Sequence, residues 1–177
     1  MGPLLTVRTR CPVAAAMRKY CMPKDLQETL RMTIDREIPD LRKITEDDSS
    51  IRTNGHWSRK EELGHLLDSA TNNRVRFARA ALDGVFQGPS YEQNGWVRLH
   101  AYNDLPWTNL VEFWYRYNSL LAHLIGQIPE DRLEAECTIG PHPPATLRFV
   151  IEDYVAHMRH HLDHILQRAI IAPYPRA

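Results

Sequence analysis

Little in this chain serves the commonest kinds of protein chemistry. Its three cysteines, Cys11, Cys21 and Cys137, are scattered and form no Cys-x-x-Cys. That excludes a disulfide framework and a thiolate zinc site, and it suits a reducing cytoplasm. Neither sign of charge is in excess: 22 Lys and Arg face 22 Asp and Glu for a net charge of +0. Nothing electrostatic therefore holds a phosphate backbone or an anionic membrane surface. No apolar run approaches the ~20 residues of a membrane span. No Gly-x-Ser-x-Gly, P-loop or dinucleotide glycine fingerprint occurs, so phosphate-cradling cofactors drop out as well. The remaining expectation is a soluble cytoplasmic protein with a small-molecule substrate, and with neither nucleic acid nor membrane as partner.

What is present is periodicity. At 177 residues the chain is the size of one domain with one continuous core. Residues 1–21 are basic, with Arg8, Arg10, Arg18 and Lys19 and no acidic residue before Asp25. They read as a disordered extension, or as a start assigned upstream of Met22, ahead of a transit peptide or a secretory signal. The fold is expected over 22–177. From Pro23, residues Leu26, Leu30, Ile34, Ile38, Leu41 and Ile44 predict a helix to about residue 45, kinked and not ended by Pro39. Ser58 with Glu61 forms a capping-box pattern, opening a second helix that runs to about Leu82 before Gly84. A third is predicted from Thr108 to about Ile128, and a fourth from Thr146 to Ile171. Strand-like alternation is absent apart from a short turn or hairpin near 137–144. The fold class is therefore all-α, a four-helix bundle. Its second and third helices are joined by a long connection from Asp83 to Trp107, read as a pocket wall or lid, or as a solvated crossover.

The fourth helix carries the chemistry. His157, His160, His161 and His164 make two pairs at the i, i+4 spacing that brings imidazoles onto one helical face. Leu147, Val150, Ile151, Tyr154, Met158 and Ile165 mark the buried stripe. On the same wheel His161 lies inside that stripe and His157 on its edge, whereas His160 lies well outside it. His157 and His161 are thus the candidate metal ligands, weighed against ordinary histidines satisfied by hydrogen bonds. Two histidines seldom hold a metal alone, and His65 on the second helix is the candidate third. Its phase is awkward, because Leu63, Leu66, Leu67, Ala70 and Phe77 define an apolar face nearly opposite. Ser69, Asn72 and Arg76 share its side, which reads as a polar lane facing a cleft or simply solvent. A thermolysin-like site is excluded because Met158, not Glu, follows His157. A di-iron site is disfavoured because only Glu62 with His65 supplies a Glu-x-x-His.

Taken together, these segments resemble the DinB/YfiT-like superfamily of metalloenzymes, which includes thiol-dependent S-transferases such as bacillithiol transferases. The resemblance rests on Gly55 to Glu61, on Leu63 to Ser69, on Asn72, Arg76 and Phe77, on Tyr91 and Trp96, and on Asp153 to Leu162. It implies a four-helix bundle with one divalent ion, zinc or nickel, held by His65, His157 and His161, in a protein that is often a homodimer. The YfiT-like branch, indicated by the Tyr91 to Trp96 segment and the histidine-rich fourth helix, implies transfer of a low-molecular-weight thiol to an electrophilic small molecule. Asn72, Arg76, Tyr91 and Trp96 are then candidates for orienting substrate. A metal-dependent hydrolase, and a bundle that binds a metal or ligand without catalysis, are the alternatives.

Overall fold

Four apolar stripes build the core. The computed structural model describes residues 23–53, 55–172 and 174, so the expectation for 1–21 falls outside the described residues. In chain order the α-helices are α1 (Pro23–Leu41), α2 (Glu46–Ser50), α3 (Arg59–Asp83), α4 (Gln93–His100), α5 (Trp107–Gly126) and α6 (Leu147–Ile165). The strands are β1 (Val85–Gly88), β2 (Glu136–Ile139) and β3 (Ala145–Thr146), and 3-10 turns occupy Tyr102–Asp104 and Glu130–Glu134. Leu26, Leu30, Ile34, Ile38 and Leu41 of α1 are buried in step, as the periodicity predicts, and Pro39 is accommodated within the helix. They meet Trp114, Leu121 and Ile125 of α5, Ile151 and Met158 of α6, and Leu63, Leu66 and Phe77 of α3 in one continuous core.

α1 packs against α5 and α6, and α3 against the same two helices. Consecutive bundle helices α1 and α3 therefore lie on one diagonal, with α5 and α6 on the other. A diagonal step needs a connection that crosses the end of the bundle, and α2 makes that crossing. Its Glu46 accepts from the buried Lys60 ammonium of α3 and from the Trp107 backbone N–H that opens α5. This carboxylate is the cap of α5. The sequence reading starts this helix at Thr108, but it starts at Trp107, and the flanking residue is Pro106, with no side-chain cap of its own. A distant anion satisfies the helix terminus.

Other boundaries differ from the sequence reading for equally local reasons. α1 stops at Leu41, whose carbonyl accepts the Trp107 indole N–H at 2.9 Å. α6 begins where expected, with Thr146 accepting from the Phe149 N–H, but ends at Ile165 and not Ile171. Gln167 turns into the left-handed region at φ 52°. Asp163 then gathers the Ala172 N–H and the Arg168 guanidinium, while Arg168 also reaches the buried Glu37 of α1. The tail folds back along α6. The long connection is not bare loop either: it holds β1, α4 and a 3-10 turn. β1 pairs in parallel with β2 (Phe86 opposite Cys137), and β2 antiparallel with β3 (Cys137 opposite Ala145). The second pairing is the hairpin expected near 137–144. No helix among the described residues is long and apolar enough to cross a membrane.

Candidate metal centre

Helix α3 is framed by the capping box read from the sequence. Ser58 accepts from the Glu61 N–H and Glu61 from the Ser58 N–H, and Gly84 closes the other end at φ 78°. Its first half is buried on every side, from Leu63 through Ala70. His65 is 0 % exposed, so the lane that periodicity placed opposite the apolar face is not a solvent face. It faces a second compartment walled by the long connection. Trp57 lies 5.1 Å from the His65 ring, Tyr91 lies 6.5 Å from it, and Trp96 stacks behind Tyr91 at 5.0 Å.

Across that compartment α6 presents His157 and His161. The three ring centroids form a triangle with sides of 5.0, 4.7 and 4.5 Å. One ligating atom from each of His65, His157 and His161 can be chosen so that all lie within 4.8 Å of one another. His65 Nε2 and His157 Nε2 face each other at 3.1 Å. Two nitrogens on one tetrahedral ion would stand about 3.3 Å apart, given Zn–N bonds of ~2.0–2.1 Å. Glu62, one turn before His65 on α3, accepts from His161 Nδ1. That bond fixes the proton on Nδ1 and leaves Nε2 with its lone pair. His65 Nδ1 is buried without a partner, an orphan polar atom of the kind that marks a functional site.

The electrostatics suit ligation. Burial holds His65 down to about 3, and His161 beside it adds to the effect. Burial holds His157 down to about 2, reinforced by His161, His65 and His160. Both rings are neutral at physiological pH, the form that donates to a metal. Three imidazoles without oxygen ligands fit a borderline cation such as zinc or nickel better than magnesium or calcium. These residues fit the ion.

The other candidate residues are placed as follows. Tyr91 stands over the triad, its hydroxyl kept protonated by burial and then by Asp68. Arg76 is half-buried near Tyr91 and Cys137 and donates to Asn73 Oδ1 at 3.2 Å. Asn72 donates to the Asp68 carbonyl of its own helix at 2.8 Å, and its neighbour Asn73 is the more buried of the two. Trp96 lies one layer out, between Tyr91 and His100. Three residues were given no role in the sequence reading. Glu62 was legible, lying three residues before His65 on one helical face. Tyr102 donates to Asp68 Oδ1 at 2.6 Å, which the spacing does not reveal. Tyr174 lies 5.2 Å from the His157 ring and donates to Asp153 at 2.9 Å, reaching there only because the tail turns back.

A diagonally connected helical bundle, with imidazoles from two facing helices converging beneath a long covering segment, is an arrangement that can hold a metal ion. The chain belongs to the DinB superfamily, whose family model matches residues 23–165. Among solved structures it is similar to YfiT from Bacillus subtilis, described as a probable metal-dependent hydrolase with an unusual four-helix bundle topology. The two share 17 % identity at a TM-score of 0.72, over 82 % of this chain and 84 % of that one. At that identity the likeness speaks for the fold. No curated protein matches the chain.

Proposed function

We propose that His65, His157 and His161 hold one divalent ion, zinc or nickel, and that the protein uses it to transfer a low-molecular-weight thiol to an electrophilic small molecule. The observation that carries this reading is the convergence of three imidazoles, one oriented by Glu62, with no fourth protein ligand among the described residues. Three ligands leave a coordination position for a reactant. When bound, the ion supplies Lewis acidity that brings a thiol or a water at that position to its reactive, deprotonated state near neutral pH.

The chain's own residues do the rest. Trp57 and Tyr91 pack beside His65 and give the centre an aromatic wall. The Tyr91 hydroxyl, kept protonated, is a donor for negative charge that develops on the electrophile, with Arg76 behind it. Thiolate sulfur forms a bond to the electrophilic carbon, the leaving group departs with the electron pair of the bond that breaks, and the thiol proton passes to solvent. Among the described residues Glu62 is engaged by His161 and Asp68 Oδ1 by Tyr102, while Asp68 Oδ2 is buried without a partner. The engagement of both carboxylates favours a thiol, acidic once ligated, over chemistry that needs further proton transfers. Hydrolysis is the second reading, favoured by the description of YfiT. A small-molecule substrate is in keeping with the net charge of +0. Homodimeric assembly belongs to the same proposal.

Metal-loaded protein assayed with a halogenated aromatic, with and without a panel of small thiols, separates the readings. Product formed only with thiol supports transfer. Product formed equally in water supports hydrolysis, and no product at full metal occupancy overturns both. His161→Ala should abolish tight metal uptake with little loss of helicity. Unchanged metal content would remove His161 from the centre.

A further inference from the structure

The second histidine pair of α6 remains unused by the centre described above. His160 and His164 stand one turn apart, and their lane is rotated about 60° from that of His157 and His161. Their Nε2 atoms face each other at 3.2 Å. That separation lies between the ~2.9 Å of adjacent positions on an octahedral ion and the ~3.3 Å of a tetrahedral one, for metal–nitrogen bonds of ~2.0–2.1 Å. The tautomer of His160 is set from outside the pair: its Nδ1 donates to the Ala172 carbonyl at 2.8 Å, so the neutral ring keeps its Nε2 lone pair. This is the arrangement by which a backbone acceptor orients a metal-binding histidine. It exists because the tail folds back, for Asp163 holds the Ala172 N–H at 2.7 Å. Burial holds His164 below the ordinary imidazole value, with Glu62 and Asp163 opposing the shift and His160 and His161 adding to it. His164 is exposed, so water can complete a coordination shell.

We infer that His160 and His164 form a second divalent-cation site, outside the triad, that takes imidazole-preferring ions such as zinc, nickel or copper. With two protein ligands it binds more weakly than the triad and exchanges freely with solvent. Without an ion, His164 Nε2–H donates to His160 Nε2; to bind a cation the neutral His164 ring changes tautomer, its proton moving to Nδ1, so that both Nε2 lone pairs face the ion. Magnesium and calcium, which demand oxygen ligands, are not taken. The inference does not depend on the triad holding metal.

The test is equilibrium dialysis of the untagged, metal-free full chain against zinc in excess magnesium. Two equivalents are expected, the second bound at least tenfold more weakly. His164→Ala, an exposed substitution, should remove the weak equivalent and leave the tight one, with an unchanged melting temperature in the metal-free state. His160→Ala should do the same to the binding. His65→Ala should lose the tight equivalent and keep the weak one, so failure of the triad is read separately. A single equivalent unaffected by His164→Ala, or two equivalents retained in both His160→Ala and His164→Ala, overturns the inference.

Discussion

An imidazole ligates through whichever nitrogen its other contacts leave free, so at the scale of the residue Glu62 decides how His161 meets an ion. Its carboxylate accepts from Nδ1 and so leaves Nε2 as the nitrogen with a lone pair to offer. Loss of such an orienting partner typically weakens metal affinity 10–100-fold. Glu62→Ala should therefore weaken zinc binding by about that factor in a chelator competition. Glu62→Gln, which keeps an acceptor, should recover part of it. Equal zinc affinity in parent and Glu62→Ala would show that the contact positions nothing. The same comparison bears on chemistry: a Glu62 acting as general base would lose activity in Glu62→Gln without any change in affinity, and a positioning Glu62 would not.

Among the elements, α3 depends on a close approach to the covering segment. A Cβ on Gly64 would lie 2.1–2.5 Å from ring atoms of Tyr102, which is itself pinned to Asp68. Gly64→Ala should cost about 1–3 kcal/mol by urea denaturation, as overpacking does. A variant as stable as the parent would mean that the covering segment is not seated on α3 as described. At the other end of the bundle, Glu46 serves the buried Lys60 and the N-terminus of α5, while Glu112 only pairs with an exposed Arg42. Glu46→Gln should lower the melting temperature more than Glu112→Gln, because exposed pairs contribute little. Equal melting temperatures would contradict the capping role. The same elements show what the sequence could and could not disclose. Long periodic helices, the Ser58 capping box, the Thr146 cap and the phases of His157 and His161 are local properties and were legible. The cap of α5 comes from Glu46, and the end of α6 is set by Asp163 and Arg168, so both boundaries depend on contacts distant in the chain or in the fold. Periodicity also misplaced the environment of His65. The first half of α3 is buried on all sides and has no solvent face for a hydrophobic pattern to reveal, unlike its second half, which exposes Arg74, Val75 and Arg79.

For the whole molecule, two neutral imidazoles in the interior couple stability to pH. His65 and His157 are held down to about 3 and about 2 from an ordinary 6.5. Between those values and 6.5 the unfolded chain binds more protons than the folded one, so stability rises with pH across that window. Metal-free protein should keep this contribution above about pH 6.5 and lose it progressively as the pH falls toward about 2, read as a falling urea midpoint. A midpoint that did not fall would mean that the two rings are already protonated or exposed. Zinc at 100 times its dissociation constant should add about 2.7 kcal/mol to the folded state. The most direct test of the central claim is zinc-edge X-ray absorption on untagged protein loaded with one equivalent. The account predicts three imidazole nitrogens at about 2.0–2.1 Å, a further light ligand and no sulfur. The imidazole signal should drop in His65→Ala. A sulfur ligand, or an imidazole count unchanged by His65→Ala, would contradict it.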